Sequence, residues 1–213
     1  MTSSAIIEDL RIVPVTGASY ITYFFFDFKD IAKQDNRGLL SSLLIQLSDQ
    51  SDLCFEKLSD LYSKHQDGSR QPSETALIQC LKDMLTVSRY APTYLVIDAI
   101  DECPNMSNVL GAPLSRQEVL DVVKELVGWR LPNLHVCITS RPEVDIQNAI
   151  KQLTCVKVSL HNQDGQKADI ARYVRSVVYS DKYHVMKMWS EELKERVIET
   201  LSSNADGMYV VTV

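Results

Sequence analysis

The run YLVIDAIDEC, residues 94–103, places Asp98, Asp101 and Glu102 directly behind four strand-favouring residues. A carboxylate where a buried strand ends is poorly placed for packing. It is well placed to hold Mg²⁺, directly or through water, against substrate phosphates. Asp101 and Glu102 lie just past the strand, where either could orient or deprotonate an attacking water. The plainer reading is an acidic turn in solvent. A second run, HVCITSRPE (135–143), brings Thr139, Ser140 and Arg141 to the end of another apolar stretch. Hydroxyls there can read a phosphate or position water, and an arginine can stabilise phosphoryl charge. Alone, this run reads equally as a hydroxyl-capped strand end with a surface arginine. Two buried strands ending this way, separated by one helix, read as one site.

The elements that must position these residues follow from periodicity. SYITYFFFDF (19–28) is aromatic and β-branched, hence a strand packed between helices rather than a base-stacking platform. Leu39, Leu40, Leu43, Leu44 and Leu47 form one helical stripe within 37–50. A second helix near 53–65 turns Leu53, Leu58 and Leu61 inward. HQDGSRQPSE (65–74) is a loop, after which Ser73 caps a helix reaching about Arg89. TYLVIDAI (93–100) is continuously apolar up to its acid, as expected of a strand buried on both faces. A loop (104–115), a helix (116–130), the strand 133–143, a short helix (143–152) and the strand-like TCVKVSL (154–160) follow. Residues 163–180 and 190–203 are helical. Strands separated by helices of this length imply α/β architecture: a parallel sheet covered by helices. His135, on a buried strand, reads as a core residue, and Trp129 and Trp189 as packing residues.

Bulk properties narrow the function. The 213 residues fit one domain or slightly more, with 45% hydrophobic and 23% charged residues. A net charge of −6 argues against a nucleic-acid partner. No apolar run reaches the roughly 20 residues that span a bilayer, and the acidic N-terminus MTSSAIIEDL is no signal peptide. Five cysteines without a CxxC pair read as buried, reduced thiols of a cytoplasmic protein. The four histidines show no zinc-ligand spacing.

Together, YLVIDAIDEC and HVCITSRPE resemble the Walker B and sensor-1 segments of NACHT-type P-loop NTPases. The likeness is in particular to fungal proteins with a nephrocystin-like N-terminal NTPase module. SSAIIEDL resembles the helix after that module's phosphate loop, and ITYFFFDFKD with RGLLSSLLIQL its second strand and helix. ADGMYVVTV resembles the entry to its next helical region. The order of motifs spans nearly the whole chain. The resemblance implies that Asp98 holds Mg²⁺, that Asp101 and Glu102 organise the water, and that Arg141, with Ser140 and Thr139, is the sensor. It implies a partial NTPase-like α/β domain over 1–160 and a helical extension over 161–213. It further implies ATP or GTP with Mg²⁺ as cofactor. The implied partners are the nucleotide, a second copy, or the effector and repeat domains of a longer cytoplasmic signalling protein. Ala99 stands where many such proteins have glycine.

One part of the pattern is missing. A phosphate loop needs GxxxxGK[ST], whose backbone amides cradle phosphate and whose hydroxyl ligates Mg²⁺. None of Gly17, Gly38, Gly68, Gly111, Gly128, Gly165 and Gly207 precedes a lysine. The chain opens inside the helix that would follow, so the first strand and its loop are expected to be lost. That loss predicts two unpaired buried sheet edges, weak or absent nucleotide binding, no turnover by this chain alone, and a piece of a longer protein. The alternatives are a non-catalytic interaction module of the same build, or an unrelated Mg²⁺-dependent phosphohydrolase using Asp98, Asp101 and Glu102.

Overall fold

The structure, a computed structural model, describes residues 2–12, 19–88, 91–105, 115–153, 156–159, 164–180, 184–203 and 209–212. Its centre is β2 (Thr93–Asp98), which pairs in parallel with β1 (Tyr20–Phe25) on one side and β3 (Leu134–Ser140) on the other. Leu95, Val96 and Ile97 are all buried, so consecutive side chains on both faces are covered. The register sets Phe25 beside Asp98 and Ile97 beside Ile138. The ends of all three strands therefore fall along one carboxyl edge.

Parallel neighbours require crossovers, and helices supply them. Between β1 and β2 run α2 (Asn36–Ser48), α3 (Asp52–Lys64) and α4 (Glu74–Val87). Between β2 and β3 runs α5 (Ser115–Gly128), and α6 (Val144–Ile150) follows β3. The helix α1 (Thr2–Ile12) precedes β1. The α2 stripe is as expected: Leu39, Leu40, Leu43, Leu44 and Leu47 are essentially inaccessible and anchor the core. Asp35, Ser51 and Ser73 cap α2, α3 and α4 by accepting from Gly38, Cys54 and Ala76 N–H groups. Gly38 is required by space, since a Cβ there would lie 2.3 Å from the Ala32 carbonyl oxygen.

Some expectations are corrected. Leu53 is 53% exposed, and Cys54 is buried in its place. The stripe on α3 is Cys54, Leu58 and Leu61, spaced i, i+4, i+7, and Leu53 lies one residue off it. His135 is exposed rather than a core residue, and its ring stacks on Tyr94 with centroids 4.9 Å apart. It alternates with buried Val136, so the strand turns it to the surface. The expectation of two unpaired edges also fails. The sheet has five strands in the order β1-β2-β3-β5-β4, where β4 is Val156–Ser159 and β5 is Tyr209–Thr212. The β-branched YVVT run thus becomes a strand beside β3 instead of the entry to a helical region. The expected loop 104–115 lies mostly outside the described residues.

The chain divides into two compact units, residues 1–157 with 210–213, and residues 158–209. The second unit contains α7 (Asp164–Val178), α8 (His184–Lys187) and α9 (Glu191–Ser203). Cys54, Cys80 and Cys103 are free and buried, and Cys137 is free and half-buried. Among the described residues, no helix is long and apolar enough to cross a membrane.

Candidate functional site at the carboxyl edge of the sheet

The parallel register brings the two candidate runs together. Thr139, fully buried at the end of β3, donates its hydroxyl proton to Asp98 Oδ1 and accepts the Ala99 N–H at 3.0 Å. Ser3, buried in the first turn of α1, donates to the same Asp98 oxygen. No described residue donates to Asp98 Oδ2. The result is a carboxylate held by two hydroxyls through one of its oxygens. Cys137, one strand residue pair away on β3, has its thiol pushed up to about 11, first by burial and then by the negative charge of Asp98. It stays a neutral thiol and offers the site no nucleophile.

The backbone turns sharply after Asp98. Ala99 sits at φ 57°, ψ 49°, the left-handed region, which its Cβ disfavours and which glycine would occupy without strain. This turn throws Asp101 and Glu102 back over the strand ends in a short 3-10 turn, Ile100–Glu102. Asp101 has a side chain only 8% exposed and clamps the end of β3. Its Oδ1 accepts the Arg141 N–H at 3.0 Å, and its Oδ2 lies 3.5 Å from Arg141 Nε. Glu102 Oε2 accepts the Phe28 N–H at 3.3 Å, tying the turn to the segment after β1. The Arg141 side chain is 67% exposed. Ser140 turns its hydroxyl to the Arg141 carbonyl at 2.7 Å, a local bond that points away from Asp98. The six candidate residues therefore share one edge: Asp98 is joined to Thr139 and Asp101 to Arg141, while Glu102 and Ser140 bond to backbone only.

Two participants escaped the sequence reading. Ser3 had a visible signal only in its place at the head of an amphipathic helix. Arg116 carried a stronger one. A cation in the first turn of a helix opposes the helix dipole and needs a compensating partner. Arg116 is buried in α5, donates to the Cys103 carbonyl at 2.8 Å and to the Asp101 carbonyl, and pairs with Asp145 at 3.3 Å. It fastens the acidic turn from beneath while Asp101 fastens Arg141 from above.

For a hard cation the donor set is thin but of the right kind. Asp98 offers one carboxylate oxygen with hydroxyls beside it, as suits a hydrated Mg²⁺ that completes its shell with water and phosphate. Among the described residues, no group of three His, Cys, Asp or Glu side chains could enclose a metal.

A helix-flanked parallel sheet with an acid at its carboxyl edge is the α/β, P-loop-like class of fold. Within that class the assignment is specific: the family described as Nephrocystin 3, N-terminal, matches residues 1–141, and the chain belongs to it. The family is a NACHT-associated N-terminal region and points to a signalling or interaction module. No curated protein and no solved structure matches the chain.

Proposed function

We propose that this chain forms the core of a NACHT-type signalling switch whose phosphate-reading edge is built on Asp98. The observation that carries the reading is the convergence of Ser3, Thr139 and Asp98 from α1, β3 and β2 on one carboxylate oxygen, with no described residue donating to the other. Asp98 would hold Mg²⁺ with ATP or GTP, and the ion would neutralise phosphate charge there. Thr139 would sense that state through its bonds to Asp98 and to the Ala99 N–H, and Arg141 would sense it through Asp101. Movement at the edge would then reach the rest of β3 and govern association with a second copy or with effector and repeat domains.

The second reading, a non-catalytic interaction module, is favoured by the employment of the acids. Asp101 and Glu102 both accept backbone N–H groups, which employs them in holding the turn to the strand ends. With no GK[ST] to anchor phosphate, the 213-residue chain should bind Mg-ATP and Mg-GTP more weakly than micromolar and turn over neither. Calorimetric titration of the chain with each nucleotide and Mg²⁺ tests this. Micromolar affinity would refute the weak-binding claim. Weak binding lost in Asp98→Asn supports the switch reading, and the absence of any Asp98-dependent binding leaves the interaction module.

A further inference from the structure

β1 stands at one end of the sheet, and its outer edge is closed in an unusual way at Ile21 and Tyr23. The N–H groups of Tyr20 and Phe26 donate inward, to the Pro92 and Asp98 carbonyls. By strand alternation the backbone groups of Ile21 and Tyr23 point outward, where an edge strand normally leaves them open to another chain. Here each meets one glutamine. Gln50 Oε1 accepts the Ile21 N–H at 3.0 Å while Gln50 Nε2 donates to the Ile21 carbonyl at 2.8 Å. Gln46 does the same to Tyr23, at 3.0 and 2.8 Å.

The spacing explains why it works. Gln46 lies in α2 and Gln50 just beyond its end, four residues on, which is a rise of about 6 Å along a helix axis. Ile21 and Tyr23 are two residues apart on a strand, about 6.6 Å. The carboxamides therefore fall in register with alternate strand residues, and each presents the acceptor and donor pair of a peptide group. Both are braced from within the helix: Gln46 Nε2 also reaches Ser42 Oγ at 2.9 Å, and Gln50 Nε2 reaches the Gln46 carbonyl at 2.7 Å.

We propose that Gln46 and Gln50 act as a surrogate strand that keeps β1 from pairing with β1 of a second copy of this chain. The hexapeptide YITYFF has no charge, glycine or proline and consists of strand-favouring residues, the composition of a self-pairing segment. Edges of this kind are commonly guarded by lysine, proline or a bulge. This one carries none of them, so the two neutral side chains are its guard. An uncovered β1 would meet its own copy in an isologous pair, edge to edge.

The test is sedimentation of the full chain and of Q46A/Q50A across a concentration series. The double variant should self-associate with a dissociation constant at least about tenfold below that of the natural chain. Adding I21P, which removes an outward N–H at a position an edge strand tolerates, should reverse the gain. Equal association of variant and natural chain overturns the proposal, as does a gain that I21P leaves untouched. Hydrogen exchange on the natural chain decides the matter even where Q46A/Q50A does not fold. The Ile21 and Tyr23 amides should be protected like inward-facing Thr22, and exchange at the rate of an unstructured chain overturns the proposal.

Discussion

The two units hold themselves together by different means. In residues 1–157 with 210–213, stability resides in buried apolar side chains: five α2 leucines, Leu81, Met84 and Leu85 from α4, and the centre of β2 are all essentially dry. In residues 158–209, the described buried apolar side chains are few, Val178 on α7 and Ile198 on α9. The two helices are joined instead by an exposed polar network. Arg175 grips Glu195 with both terminal nitrogens, at 2.9 and 2.7 Å. The Tyr179 hydroxyl lies between Glu191 at 2.7 Å and Glu195 at 3.1 Å. Lys194 pairs with Glu191 at 2.8 Å and lies over the Tyr179 ring. Burial is indifferent to salt and nearly so to pH, whereas exposed ion pairs are weak and screened. The first unit should therefore respond to cavities and the second to solution conditions.

The largest effect that can sharpen this contrast is Leu43→Ala. It leaves a cavity among fully buried neighbours and should cost about 2–5 kcal/mol in urea unfolding followed by circular dichroism. A loss below about 1 kcal/mol would mean the α2 stripe is not the anchor described. Next comes Ala99→Gly, which probes one of four described places in the first unit, with Gln66, Asp67 and Arg130, where a side chain sits on left-handed backbone. Relief of the left-handed strain, partly offset by the freedom glycine gains on unfolding, should raise stability by up to about 1 kcal/mol. A lowered urea midpoint would count against strain at that turn.

The smallest effect lies in the second unit. Glu195→Gln should cost less than about 1 kcal/mol, and the loss should shrink in high salt. The pH dependence carries a definite sign. Tyr179 is pushed up to about 12, chiefly by its hydrogen bond to Glu191, from an ordinary 10.0. A raised value stabilises the fold fully below pH 10 and loses that contribution as pH climbs toward 12. Glu191 is lowered from 4.5, first by Lys194 and then by Tyr179. Its contribution is present above pH 4.5 and lost as pH falls through the lowered value. Amide protection in α7 and α9, taken relative to the intrinsic exchange rate at each pH, should therefore fall outside this window while that of α2 stays high. Equal loss of protection in both units would erase the distinction.

The sequence made legible what local pattern controls. The α2 stripe, the Ser73 cap and the doubly buried β2 all follow from periodicity and composition, and so does the parallel architecture they imply. The carboxyl-edge placement of Asp98 and Thr139 followed from two strand ends alone. What stayed hidden depends on partners distant in sequence. Leu53 and Cys54 differ by one position on a helix, and hydropathy prefers the wrong one. The apolar neighbours of His135 predict it inward, although alternation turns it out. Gln46 and Gln50 look like ordinary helix-surface residues until β1 lies beside them. The role of YVVT could not be read either, because a strand's place in a sheet is decided by which neighbour lacks a partner.

The cysteines of the first unit also have a use as a clock. Cys54 and Cys103 are sealed in the core, and Cys80, nearly fully buried, has its thiol raised to about 11, chiefly by burial. Only a thiolate attacks an alkylating reagent, and a pKa near 11 leaves about one thiol in a thousand ionised at pH 8. That small fraction slows Cys80, whereas modification of Cys54 and Cys103 must wait for the core to open, and its rate would count openings one molecule at a time.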